Sequence, residues 1–478
     1  MNRLTLIDKF LFCTLFVPII FLISSFFLID GFYINELLAN LFSFFSVILI
    51  WLIFYKVFNK YISIKILNII LLLMLLRISV NFFHLYIFQL PISGYVFSSE
   101  IDQFFGDSGL IHERTLIYLS YADNFYELIF NQSHLLNNKG QLIIYAMIYN
   151  VYGPFPSTLV PWDTLVVGFY SCTFYLLSKA IFKNEKCEYI PYLVFLMPVF
   201  TIYPLLYRDY YIILCLGLTS LIVLSFNDTL DYRKYFYLII LSFFLYQLRK
   251  VYVILPMLFL YTFCFVKFSN FRKYLIYIFI ITIFILSFYI FYNRDTIFIN
   301  SAQRSEIYHS TLYFNKGLEL LQYIYMVVFE AKHEGGNLSK YFEEQIFPIK
   351  MAFRSMTLLL SPFPWTNKIP SGHSVYQILL YIQTLFTFIV FFRIFDLIKL
   401  KFFNKNFFVI LCFYFYIFIL AAFGAQQLSS LYVLIGLPLL VTSFINFNIQ
   451  EFKKYALFSV LFITIVHIVY TITKSVVL

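Results

Sequence analysis

The first extended polar run in this chain is Glu100–Gln141, and at its centre stands Phe105-Gly106-Asp107-Ser108-Gly109, an acid set between two glycines. A carboxylate at a membrane surface can serve as a general base, taking the proton of a hydroxyl as that hydroxyl attacks. Gly106 and Gly109 would let the backbone turn tightly and approach a ligand. Gly-Asp-Ser-Gly is equally good chemistry for an ordinary turn. Glu100, Asp102 and Glu113 are the competing carboxylates in the same run, and the sequence leaves open which of them is the base.

Cations follow. Arg208-Asp209 sits between two apolar segments, with Tyr207, Tyr210 and Tyr211 around it. An arginine there can snorkel, or it can grip a phosphate with two parallel hydrogen bonds. Arg249-Lys250 interrupts the apolar stretch 235–268, which contains no other turn signal. Two adjacent cations between apolar helices are costly unless they meet water or an anion, and a lipid pyrophosphate is such an anion. Arg77 falls inside an apolar stretch, where it pairs with an acid or snorkels, and His84 lies further along it. A second polar run offers Arg304, His309, Lys332, His333, Glu334, Arg354, Trp365, Lys368 and His373. Of these Arg354 is the most telling, because it interrupts a short apolar segment just before Pro362-Phe363-Pro364-Trp365. His333-Glu334 has no second histidine at metalloprotease spacing, and there is no phosphate-binding glycine loop or serine-hydrolase elbow. The six cysteines are scattered without a CxxC pair, so neither a metal site nor a disulfide framework is expected.

The elements that must position these residues are apolar helices. Hydrophobic residues make up 62% of the chain and charged residues only 12%, against roughly 25% charged in soluble domains, so an all-α polytopic membrane protein is expected. Stretches of about 20 apolar residues cross a bilayer. They fall near 10–29, 37–55, 66–88, 157–181, 189–206, 210–226, 235–249, 251–267, 274–292, 374–395, 407–423, 428–446 and 455–472, a count of 13. The basic start of the chain lacks a small-x-small cleavage site, so the first span is read as retained.

With the N-terminus inside, every inner loop is basic: Lys56, Lys60 and Lys65, then Lys179, Lys183 and Lys186, then Arg233 and Lys234, then Lys267, Arg272 and Lys273. Arg393, Lys399, Lys401, Lys405, Lys453 and Lys454 complete the pattern. The net charge of +10 therefore belongs to membrane topology and not to nucleic-acid binding. This orientation makes 141–152 an amphipathic helix in the outer interface rather than a span, and 350–361 an interfacial or re-entrant one. Two long outer loops remain, and long loops carry function disproportionately. The chain is read as one membrane domain: three spans in 1–90, a first outer loop in 91–156, six spans in 157–292, a second outer loop in 293–373 and four spans in 374–478.

Several segments in this order carry a resemblance. They are YNVYGPFPSTLVPWDTLVVGFYSCTFYLLSKAIF (149–182), YLVFLMPVFTIYPLLYRDYYIILCLGL (192–218), the Arg-Lys hairpin and RSMTLLLSPFPW (354–365). Over about residues 100–370 the chain resembles the GT-C glycosyltransferase superfamily, and within it the O-antigen and capsule repeat-unit polymerases of bacteria. The resemblance implies a GT-C-like fold with periplasmic loops in the inner membrane. It implies a polyprenyl-pyrophosphate-linked oligosaccharide as substrate, with no cofactor, no metal and an accompanying chain-length regulator. Asp107 matches the loop acid that such enzymes use as base. Arg208-Asp209 matches the charged pair at the outer mouth, and Arg249 the following outer arginine, with Lys250 beside it. Gln426-Gln427 stands where relatives often show an arginine, which moves that phosphate-binding role to Arg354; Tyr210, Trp365 and His373 are further candidates. A single-sugar polyprenyl-phosphate-dependent transferase is the alternative within the class. A polysaccharide flippase is the alternative outside it.

Overall fold

The computed structural model describes residues 8–28, 36–86, 107–120, 139–181, 190–196, 209–225, 232–248, 250–268 and 449–477, with isolated helical positions within 273–288, 385–396 and 408–412. Among these residues regular structure is entirely helical, with no strand. The chain divides into two compact units: Met1–Arg249 with Gly436–Asn446, and Lys250–Ile435 with Phe447–Leu478. The boundary falls between Arg249 and Lys250, the two cations singled out above.

In the first unit a π-turn, Phe12–Phe16, leads into α1 (Val17–Leu28). Helices α2 (Glu36–Phe58) and α3 (Ile64–Tyr86) have 23 residues each. At 1.5 Å per residue each is about 34 Å long, enough for a hydrocarbon core of about 30 Å. Their connection is tight, since the Tyr61 and Ile62 N–H groups both donate to Phe58 O. Ser63 then caps α3 by accepting the N–H of Ile66 at 3.4 Å.

Next come α4 (Asp107–Ser120) and α5 (Lys139–Tyr152), then a short 3-10 turn, Pro156–Thr158, leading into α6 (Leu159–Ile181). Helices α7 (Ile190–Leu196), α8 (Asp209–Leu224) and α9 (Tyr232–Leu248) complete the described part of this unit. Among the described residues three segments are long and apolar enough to cross a membrane: Glu36–Phe58, Ile64–Phe82 and Pro156–Ile181. The expected spans that fall wholly or largely beyond the described residues are 189–206, 274–292, 374–395, 407–423 and 428–446.

Helix α6 is the axis of this unit. It packs against α2, α3, α7 and α8, and of its residues only Lys179 and Ala180 are not buried. Glycines set the closeness of that packing. A Cβ on Gly168 would lie 2.6 Å from Met74 Sδ and 3.2 Å from the Trp51 ring, and one on Gly217 would lie 3.0 Å from Thr173 Cγ2.

Two expectations are corrected here. Asp107, Ser108 and Gly109 form the first turn of a 14-residue helix, α4, and not an irregular turn. A carboxylate at a helix N-terminus sits well with the helix dipole, which is the physical reason the helix can begin there. The second correction concerns α5, which was expected to lie as an amphipathic helix at the bilayer surface. No residue from Gly140 to Tyr152 is exposed, because α1, α2, α4 and α9 pack around it. At 14 residues it is about 21 Å long, still too short to cross.

In the second unit a 3-10 turn, Lys250–Ile254, leads into α10 (Leu255–Lys267), and the chain closes with the 29-residue helix α11 (Ile449–Val477). Lys267 ends α10 over the rings of Phe263 and Phe268, at 5.2 and 5.7 Å. On α11, Tyr455 donates to Asp396 and accepts from Arg393, and Phe462 meets Phe388 at 4.9 Å.

Candidate functional site

The turn between α5 and α6 decides what meets inside the first unit. Helix α5 ends at Tyr152, and Gly153 adopts φ 94°, the left-handed region that glycine enters without penalty. A Cβ there would also lie 2.9 Å from the Phe155 ring. Phe155, extended, caps the 3-10 turn, and Thr158 bonds back to Phe155 O through both its N–H (3.0 Å) and its hydroxyl (2.6 Å). The turn is pinned to α2 by Ser43, which donates to Thr158 O at 2.7 Å, and by Ser157, which donates to the Glu36 carboxylate at 2.8 Å. The chain thus folds back on itself, bringing the middle of α5 against the first turns of α6.

There Asp163 is 2% exposed. Tyr145 of α5 donates to it, with oxygen separations of 3.1 and 3.0 Å to the two carboxylate oxygens, and Tyr211 of α8 donates from the other side at 3.1 Å. Arg77 of α3, 3% exposed, donates to the hydroxyl of Thr164, the residue after Asp163, and to the Tyr210 hydroxyl at 3.3 Å. Its guanidinium carbon also lies 5.5 Å from the centre of the Tyr210 ring, in cation–π range. The charge of Arg77 is felt at both Asp163 and Tyr170. Four helices therefore contribute to one buried polar cluster of a cation, a carboxylate and several tyrosines.

A second contact lies one turn further along α5. His112 of α4 is 2.7 Å from the Tyr149 hydroxyl through Nδ1, with its ring edge-on to the Tyr149 ring. Burial lowers its pKa to about 4, so the imidazole is neutral at pH 7 and this contact joins two uncharged groups. Tyr149 and Tyr145 are one turn apart on α5 and share a face, so the helix links α4 to Asp163 along that face.

Of the residues predicted from sequence, Tyr210 enters this cluster through Arg77. Asp107 begins α4, Asp209 begins α8 and Lys250 begins the 3-10 turn of the second unit. Glu113 is half-buried on α4, beside His112. Glu100, Asp102, Arg208, Arg249, Arg354, Trp365 and His373 lie outside the described residues. Sequence reasoning passed over Asp163. The signal was present, because a lone acid in an apolar stretch marks a functional candidate by its cost alone. Arg77 was noticed, but its surroundings could not be read from a sequence. Among the described residues no group of three or more His, Cys, Asp or Glu side chains is placed to hold a metal ion.

No protein-family model, curated protein or solved structure matches this chain.

Proposed function

We propose that this protein is a membrane glycosyltransferase that uses a polyprenyl-pyrophosphate-linked glycan, polymerising surface-polysaccharide repeat units on the outer side of a bacterial inner membrane. The observation that carries the reading is the attachment of α4. Within the polar run, Asp107–Ser120, which begins with the candidate base, is a helix packed on α5, and α5 in turn reaches the buried Asp163–Arg77 cluster. A catalytic acid needs a support of this kind to hold its geometry. Lysines end α2, α6 and α10 at Lys56, Lys179 and Lys267, as the inner-face reading requires.

In this reading the lipid-linked donor enters laterally, and Arg208, Arg249, Lys250 and Arg354 neutralise its pyrophosphate. Asp107 takes the proton of the acceptor hydroxyl as that oxygen attacks the anomeric carbon. The anomeric carbon–oxygen bond to the pyrophosphate breaks, and polyprenyl pyrophosphate leaves. Positioning and electrostatic stabilisation of the leaving group supply the rate.

Asp107→Asn and Arg208→Ala, expressed at wild-type level in a strain whose polysaccharide resolves on a gel, are expected to leave single unpolymerised repeat units. Long chains unchanged in Asp107→Asn would overturn the catalytic role of that residue.

The buried Arg77–Asp163 cluster favours one reading of a second class. Ionisable residues inside a membrane bundle also mark transporters. A failed flippase exposes no repeat units on the outer surface, whereas a failed polymerase exposes single ones, so the same gel separates the two.

A further inference from the structure

We propose that Asp163 is a reversible proton-binding site within the membrane bundle. The inference rests on how the carboxylate is held. Asp163 lies within Pro156–Ile181, which is long and apolar enough to cross a membrane, about 10 Å along the axis from its start. It is 2% exposed, and it forms no ion pair with any described residue. Its hydrogen bonds come from two neutral hydroxyls, Tyr145 and Tyr211.

A buried carboxylate that lacks a cation in contact resolves the cost of its charge by taking up a proton. Arg77 pulls the other way. Its positive charge is close enough to be felt at Asp163, yet its guanidinium bonds are made to Thr164 and Tyr210. The carboxylate is thus held by hydrogen bonds and a nearby cation without being locked in an ion pair, which leaves room for a proton to be taken up and released.

The groups that act on the carboxylate come from three neighbouring helices. Helix α3 supplies Arg77, α5 supplies Tyr145 and α8 supplies Tyr211, while Tyr210 of α8 and Tyr170 of α6 lie on the Arg77 side. On α2, Glu36 is engaged with Ser157, and the only titratable residue of α7, Tyr192, is exposed.

Protonation converts the carboxylate to an acid whose O–H must itself donate. One tyrosine then turns from donor to acceptor, and its own O–H needs a new partner. The proton comes from bulk water and no other reactant is involved. The consequence is mechanical, because the bonds that switch are those joining α6 to α5 and α8. The inference holds whether the protein is an enzyme or a transporter.

Infrared difference spectroscopy on the full-length protein in lipid nanodiscs tests this directly. As pH is lowered, the wild type is expected to gain the carbonyl band of a protonated carboxylic acid, and Asp163→Asn to lack that band. Tyr211→Phe removes a donor that favours the ionised form, so it is expected to move the band's midpoint upward by about one pH unit. The phenylalanine variants at Tyr145 and Tyr211 keep the carboxylate, so they identify the band even if Asp163→Asn fails to fold. A band that neither variant shifts, an Asp163 ionised throughout, or one protonated throughout would each overturn the proposal.

Discussion

Helices α2 and α6 have the same length and both can cross a membrane, yet they solve different problems. Of the most apolar stretch of α6, 83% of residues are buried, against 39% in α2 and in α3. Its outward-pointing positions meet protein, so it can hold Asp163, Thr164, Ser171, Thr173 and Ser178 in its interior. Helix α2 presents Leu41, Phe45, Leu49 and Leu52 outward, and α3 presents Leu72 and Leu76. A helix facing hydrocarbon has no partner for a polar side chain, whereas an enclosed helix can supply one from each neighbour. Enclosure is therefore the condition for the polar cluster, and the four helices around α6 are what make it possible.

The largest effect on this contrast is expected from Asp163→Ala. It leaves the Tyr145 and Tyr211 hydroxyls buried without an acceptor and Arg77 without its nearby opposite charge. At roughly 1–3 kcal/mol for each orphaned group the loss should be about 4 kcal/mol, read as a lowered melting temperature of the purified protein. A variant as stable as wild type would mean that α6 does not need its polar interior.

Leu72→Lys probes the other kind of helix. Leu72 is 66% exposed near the middle of α3, and a lysine at the centre of a lipid-facing helix costs about 2.5–3.5 kcal/mol of apparent insertion free energy. A reporter that scores insertion should show that loss for Leu72→Lys and almost none for Leu72→Ile. Equal tolerance of both would mean that this face of α3 is covered by protein or water and would remove the contrast between the two helices.

The smallest effect concerns pH and α4. His112 has its pKa lowered to about 4 by burial, so between that value and about 6.5 the unfolded chain binds the proton and the folded one does not. Its contribution is complete above about pH 6.5 and is lost as pH falls towards 4. His112→Gln is expected to flatten that part of the stability profile relative to wild type, measured by thermal melts across the window. An unchanged slope would mean that His112 is not held neutral against Tyr149.

Much of the helical layout was legible. The expected spans 37–55, 66–88 and 157–181 match α2, α3 and α6 closely, because a run of about 20 apolar residues has few other uses. Helix α5 was located from its composition and its Gly-Pro-Phe-Pro end, but its burial was misjudged. Its length and the basic inner loops placed it at the interface, whereas Gln141 and Tyr145 are buried in the protein interior. Asp107 was singled out for the glycines beside it, and Gly109 lies in the first turn of a helix that Asp107 begins. Asp163 was overlooked because an apolar window averages a single acid away.

The sequence by itself determined that this chain is helical, that parts of it are apolar enough for a membrane, and where several helices begin and end. Those properties depend on residues close together along the chain: hydropathy over 20 positions, a capping Ser63, a glycine at 153. Only the tertiary structure decided which helix is enclosed, and so which charges can be tolerated inside. The partners of Asp163 lie 18 and 48 positions away, and those of Arg77 lie 87 and 133 positions away. No local pattern records such separations, because the cost of a buried charge depends on what surrounds it in space.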